Sequence, residues 1–211
     1  MSNPDIYRYV VAYDGGTAPN PFAGWCTLAI CKPRIRKAAK VGDWIMGFRA
    51  RNLGNIRTGF GHVLYAMQVE EKLTFAEYWQ DERFLSRRPS SSNSGPDNIY
   101  RPIHSQSGIE TLEWVSNQVH EPSAKLRDLS GQCVLVARKF WYFGAASAEE
   151  NMRLPIDLLH LAPTTQGHVV SKNRQPNDIK EVEAWLKRFP PGMSAAPTKP
   201  RKPASDAVPT Q

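Results

Sequence analysis

No stretch of the 211 residues approaches the ~18 consecutive apolar positions that a membrane-crossing helix needs. The opening MSNPDIYRYVV has no basic run leading into an apolar one, so no secretory signal is expected. Cysteine is scarce: three residues, Cys26, Cys31 and Cys133, with no CxxC and no nearby histidine. An odd, unpatterned set argues against a disulfide framework or a structural zinc site and fits a reducing cytoplasm. The five histidines (62, 104, 120, 160 and 168) never fall at i, i+3 or i, i+4, so a helical zinc motif is missing too. No Walker A sequence and no GxGxxG is present. No metal is expected, and no cofactor is indicated.

What the chain does have is positive charge, 27 Lys plus Arg against 20 Asp plus Glu, for a net +7. The last 22 residues, from Pro190, hold six of the 17 prolines and no aromatic. Such a composition buries too little apolar surface to offset its ordering entropy, so residues 190–211 read as a disordered basic tail after a single domain, 1–189. Lys199, Arg201 and Lys202 against Asp206 give that tail +2, leaving +5 to the body. The densest basic stretch is CKPRIRKAAKVGD, where Lys32, Arg34, Arg36, Lys37 and Lys40 precede the first acid, Asp43. Pro33 suits the first turn of a short helix there. The stretch reads either as a phosphate-facing surface or as a solvated helix face.

Strand signals fall at IYRYVVAYD, WCTLAIC, VGDWIMGFRA, FGHVLYAMQVEEKLT and QCVLVARKFWYFG. TFAEYWQDERF reads as a helix whose Thr74 and Glu77 form a capping box. DIKEVEAWLKRF places Ile179, Val182, Trp185, Leu186 and Phe189 at helical spacing, and Pro-Pro-Gly from 190 stops it. PSSSNSGPDN reads as a mobile loop. The expectation is an α+β fold, with a curved, mostly antiparallel sheet or a small barrel and peripheral helices.

Four segments are candidates for chemistry. In the loop from Asp14 to Phe22, Gly15 and Gly16 permit unusual backbone and two prolines stiffen the chain around Asn20. A rigid loop presenting Asp14, Asn20 and Phe22 suits hydrogen bonding and stacking of a base; the alternative is a plain connection between strands. Cys26 and Cys31 fall on opposite faces of a strand, as small core residues or as a nucleophile lacking a nearby base. Arg57, in the glycine-rich RNLGNIRTGFGH, either contacts a phosphate or decorates a connection. In RKFWYFG, Trp141 and Phe143 share one strand face and Phe140 and Tyr142 the other. One pair fills the core; the second is covered by a helix or lines a pocket.

The segments YRYVVAYDGGTAPNPFAGWCTLAICKPRIRKAAKVGDWIMG, HVLYAMQVEEKLTFAEYWQDERF, DNIYRP and VLVARKFWYFG together resemble the bacterial and phage family called the second nucleotide-modification-associated domain. The matching positions are Asp14, Gly15, Gly16, Pro19, Asn20, Pro21, Phe22, Cys26, Thr27, Lys32, Gly42, Asp43, Trp44, Asp97, Asn98, Tyr100, Phe143 and Gly144. The GDWIMGF strand and the element order that follows are similar, more loosely, to PUA-like and EVE-like barrels that bind modified bases. The resemblance implies a partner that is a nucleic acid or a nucleotide. In a binding reading, Asp14, Asn20 and Asp43 read base edges, Trp44 and Tyr142 stack, and Gly15, Gly16, Phe22, Lys32, Asn98 and Tyr100 complete the pocket. Arg34, Arg36, Lys37, Lys40 and Arg57 would then hold phosphates. In an enzyme reading, Asp14 or Cys26 works with Lys32 and Asn98 on a base or nucleotide.

Overall fold

The computed structural model describes residues 3–90, 95–104, 110–117, 120–164, 168–170 and 175–198. A six-stranded mixed sheet runs β10-β1-β3-β4-β9-β11, built from β1 (Ile6–Val11), β3 (Trp44–Arg49), β4 (Val63–Gln68), β9 (Phe140–Tyr142), β10 (His168–Val170) and β11 (Gly192–Met193). A three-stranded sheet, β2-β8-β5, comprises β2 (Cys26–Leu28), β5 (Glu71–Leu73) and β8 (Val134–Ala137). The strands β6 (Tyr100–His104) and β7 (Glu110–Trp114) pair separately. Apart from β1 with β3 and β9 with β11, the strands pair antiparallel. The fold is α+β. The described sheets do not close into a barrel.

Period-two alternation explains the layers. On the large sheet Tyr7, Tyr9, Ile45 and Met67 face inward against Cys26, Leu28, Leu135 and Ala137 of the small sheet. Gly47 sits where a Cβ would come within 2.3 Å of the Tyr65 ring, so only glycine lets that ring lie across β3. Ile6, Trp44, Met46 and Trp141 point to the other face, covered by short 3-10 turns from 144 to 161 and by helix α4 (Asp178–Leu186). Val182 and Leu186 of α4 are wholly buried there, each worth roughly 1.5–3 kcal/mol. The far face of the small sheet packs Val134 and Val136 against Phe75 and Tyr78 of helix α2 (Phe75–Gln80) and against Tyr100. The capping box of Thr74 and Glu77 is formed. Among the described residues no helix is long and apolar enough to cross a membrane.

Two expected single strands each divide at a corner. Arg138 and Lys139 bend between β8 and β9, and Glu70, between β4 and β5, accepts both of their backbone N–H groups at 3.1 and 2.7 Å. The two chains therefore leave one sheet for the other together. The tail also differs from the expected disorder as far as Thr198. Gly192–Met193 adds a strand to β9, Ser194 N–H donates to Tyr142 O, and Ala145 N–H donates to Ala196 O. Backbone pairing supplies the order that side-chain burial was not expected to give. Residues 199–211, with Lys199, Arg201 and Lys202, lie outside the described residues, as do 91–94 of the loop expected to be mobile. That loop's end is different in kind, because Gly95 through Asn98 are buried.

Candidate functional site

The rigid loop after β1 is held by the protein itself. The Asp14 carboxylate, buried, accepts the Tyr142 hydroxyl on one oxygen and both Thr198 N–H (2.8 Å) and Oγ1 (3.0 Å) on the other. Burial and the neighbouring Asp14 push the Tyr142 hydroxyl well up from its usual pKa. Gly16, at φ 72°, lies so close that a Cβ would meet Pro197 at 2.6 Å. Asn20 exchanges backbone hydrogen bonds with Thr27, and its amide donates to Gly95 O at 3.0 Å. Beneath it Arg87 donates to the carbonyls of Asn20, Phe22 and Trp25 and to the Thr27 hydroxyl, 3.8 Å from the Asp97 carboxylate. Thr27 and Tyr78 donate to Asp97 at 2.5 and 2.9 Å. The network is buried and mutually bonded.

Other predicted site residues are similarly occupied. Asp43 accepts the backbone N–H groups of Asp5 and Lys40, each at 2.8 Å. Trp44 is buried and stacked on Trp141, ring centroids 6.1 Å apart. Asn98 donates to Tyr78 O, and the Tyr100 hydroxyl donates to Asp128. Cys26 has no exposure, and burial pushes its thiol up. Arg36, expected on a phosphate surface, is wholly buried and spends its guanidinium on the carbonyls of Cys31, Cys133 and Asp128. Lys37, Lys40 and Arg57 are exposed. Phe22 is half-buried beside a second cleft shared with Asn20 and Arg87. Thus Asp14, Asn20, Trp44 and Tyr142 do not surround one cavity: Asp14 bonds directly to Tyr142, while Trp44 lies in the opposite core.

A further cleft, of comparable size to the one beside Phe22, lies elsewhere. It has a volume of about 590 Å³ and lies between β1 and its following loop on one side and Ile30 to Arg34 on the other, with His120 and Arg127 also on its wall. That volume falls in the range of small-molecule sites. Of the predicted residues, Gly15, Lys32 and Arg34 line it. Lys32 leads into helix α1 (Pro33–Ala38), and its ammonium sits 4.3 Å from the centre of the Tyr9 ring. Burial lowers the Lys32 pKa. Tyr13, half exposed, stands on the same wall. Lys32, Arg34, His120 and Arg127 are cationic groups of this wall, and no acidic side chain lines its described part.

Beside it the Cys31 sulfur, an imidazole nitrogen of His120 and a carboxylate oxygen of Asp128 lie within 4.8 Å of one another. His120 Nε2 is 2.7 Å from Asp128 Oδ2, which also accepts the Tyr100 hydroxyl at 3.0 Å, and Cys31 N–H donates to Oδ1 at 2.9 Å. Hydrogen bonds to Asp128 and Cys31, against the cost of burial, push His120 up to about 9. Burial alone would raise Asp128, but His120, the Cys31 N–H and Tyr100 together hold it below the usual carboxylate value. Cys31 and Lys32 are both left-handed, at φ 59° and 43°. Such non-glycine geometry costs about 1–3 kcal/mol per residue, and here Asp128 and Arg36 clamp the Cys31 peptide groups.

Sequence reasoning missed this trio. Cys31 and Asp128 are 97 positions apart, and His120 sits in no recognisable motif. The available signal was Cys31 at the head of the basic stretch.

Fold and site together define an α+β protein with a cation-lined cleft of small-molecule size. The chain belongs to the family described as nucleotide modification associated domain 2, whose profile matches residues 3–203. That description ties it to nucleic acid modification. No curated protein and no solved structure gives a significant match.

Proposed function

We propose that the cleft between β1 and α1 binds a nucleotide or a modified base, in the service of nucleic acid modification. The observation that carries this reading is the set of cationic groups on the described wall, Lys32, Arg34, His120 and Arg127, of which His120 and Arg127 also pair with Asp128 behind it, at 2.7 and 3.8 Å. A wall of one sign in a partly enclosed cleft concentrates anions. Arg34 and Arg127 suit phosphate oxygens, since guanidinium presents paired donors. Tyr13 offers an exposed ring for a base. Partly buried Val10, Ala18 and Pro33 supply apolar contact surface.

Calorimetric titration of nucleoside mono- and triphosphates at low salt tests the reading. Measurable affinity is expected for the wild type, weakened about tenfold by Arg34→Ala or Arg127→Ala, the loss of one charge-assisted contact. Absence of binding to nucleotides and short oligonucleotides at low salt would sink it.

A further inference from the structure

We propose that Cys31 is a nucleophile toward an acyl carbon, an amide or ester carried by a nucleotide or base in the cleft, with His120 as its proton shuttle and Asp128 as a positioning residue. The substrate class rests on the reading of the cleft as a nucleotide site; the reactivity of the thiol does not.

The geometry distinguishes this from a metal centre. Asp128 Oδ2 already accepts His120 and Tyr100, and Oδ1 accepts the Cys31 N–H. Both oxygens are turned to protein donors, so a cation would have to displace His120 from its carboxylate. The same bonds fix the imidazole beside the sulfur. Cys31 is half-buried and lines the cleft, whereas Cys26 and Cys133 are buried. The charged and titratable groups facing the pair are Asp128 and Arg127 from helix α3 (Lys125–Leu129), Tyr100 from β6, Arg36 from α1, and Lys32.

In the reaction the Cys31 sulfur, its proton already held by the His120 imidazolium, bonds to the acyl carbon. The carbonyl π electrons move to oxygen, beside the Lys32 ammonium. Collapse expels the nitrogen or oxygen leaving group, which takes the proton from His120, and a thioester remains. Water then attacks, giving one proton to His120 while the C–S bond breaks and its electron pair returns to sulfur. The products are a carboxylic acid and the released amine or alcohol, and no oxidant or metal is consumed.

Alkylation of the native full-length chain by iodoacetamide, read by peptide mass spectrometry, tests the first requirement. There an S–C bond forms, the C–I bond breaks, iodide leaves, and His120 keeps the thiol proton. An ordinary thiol gains about tenfold in rate per pH unit below pH 8. Cys31 is expected to react at a nearly constant rate from pH 6 to 8, with Cys26 and Cys133 as slow internal controls. His120→Ala should slow it about tenfold or more at pH 6.5 and converge with wild type near pH 9.5. Asp128→Asn should move the profile in the same direction. An ordinary pH profile in the wild type overturns the proposal, and that measurement needs no variant to fold. So does stoichiometric zinc that shields Cys31 and is lost in Cys31→Ser. Saturating nucleotide should protect Cys31. Fast, flat labelling without protection would keep the nucleophile and remove the nucleotide reading.

Discussion

The loop from Asp14 to Phe22 and the wall from Cys31 to Arg34 are close in sequence and opposite in character. In the first, Asp14 pairs with Tyr142 and Thr198, Asn20 with Gly95, and Arg87 beneath them with Asp97 and Thr27, while the buried Thr17 hydroxyl has no hydrogen-bond partner among the described residues. In the second, cations and a thiol face a cleft, and the Asp128 carboxylate, buried behind them, pairs with His120 at 2.7 Å and with Arg127 at 3.8 Å. A dense, distinctive motif need not be a site. Buried polar groups must be bonded, so a folded loop that carries many of them uses them on itself.

The contrast can be broken by substitution. The largest effect is expected from Arg87→Ala, which strands the buried Asp97 and removes donors from three carbonyls. Leaving one member of a buried pair costs about 3–5 kcal/mol, readable by urea unfolding. A loss under 1 kcal/mol would mean the network is not what holds the loop.

Next comes pH. His120 is raised to about 9 by Asp128 and Cys31, and its unfolded value is near 6.5. A raised cationic group stabilises fully below its unfolded pKa, and that contribution fades as pH climbs through the folded one. Between pH 6.5 and 9.5, wild type should therefore lose on the order of 2–3 kcal/mol more stability than His120→Ala. Parallel pH curves would refute the His120–Asp128 coupling.

A smaller effect belongs to the tail. Thr198→Val removes the hydroxyl bond to Asp14 and keeps the backbone one, for a cost of about 1 kcal/mol by thermal or urea unfolding. The smallest belongs to the cleft: Cys31→Ser should change stability by less than about 1 kcal/mol, because the sulfur is only half-buried at the edge of a core cluster and serine keeps nearly its volume. A large loss there would make Cys31 a structural residue like Cys26.

Much of the scaffold was legible. Strands β1, β3 and β4, the Thr74 cap and helix α4 follow from alternation, capping chemistry and 3.6-residue spacing. The alternation in Phe140 to Phe143 gave the right division of faces, and both are buried, as one of its two readings expected, Tyr142 in one core and Trp141 in the other. The corners were not legible, since Glu70 bridges to Arg138 and Lys139 across a distance no local pattern records. Nor was the tail, whose order to Thr198 comes from backbone bonds that composition cannot reveal. The basic stretch from 32 to 40 held cleft and non-cleft residues in one run: Lys32 and Arg34 face the cleft, Arg36 turns inward, Lys37 and Lys40 face water. Charge density located the region, and only the turn of α1 sorted its members.

That sorting supplies the most direct test, since two double variants each remove two charges from the same neighbourhood. Nucleotide affinity at several salt concentrations should fall at least tenfold for Arg34→Ala with Arg127→Ala, with a shallower salt slope. Lys37→Ala with Lys40→Ala should stay within about twofold of wild type, since long-range charge is screened over ~10 Å at 0.1 M salt. Equal weakening by both pairs would contradict the account, making the binding a diffuse property of a basic surface rather than of the cleft.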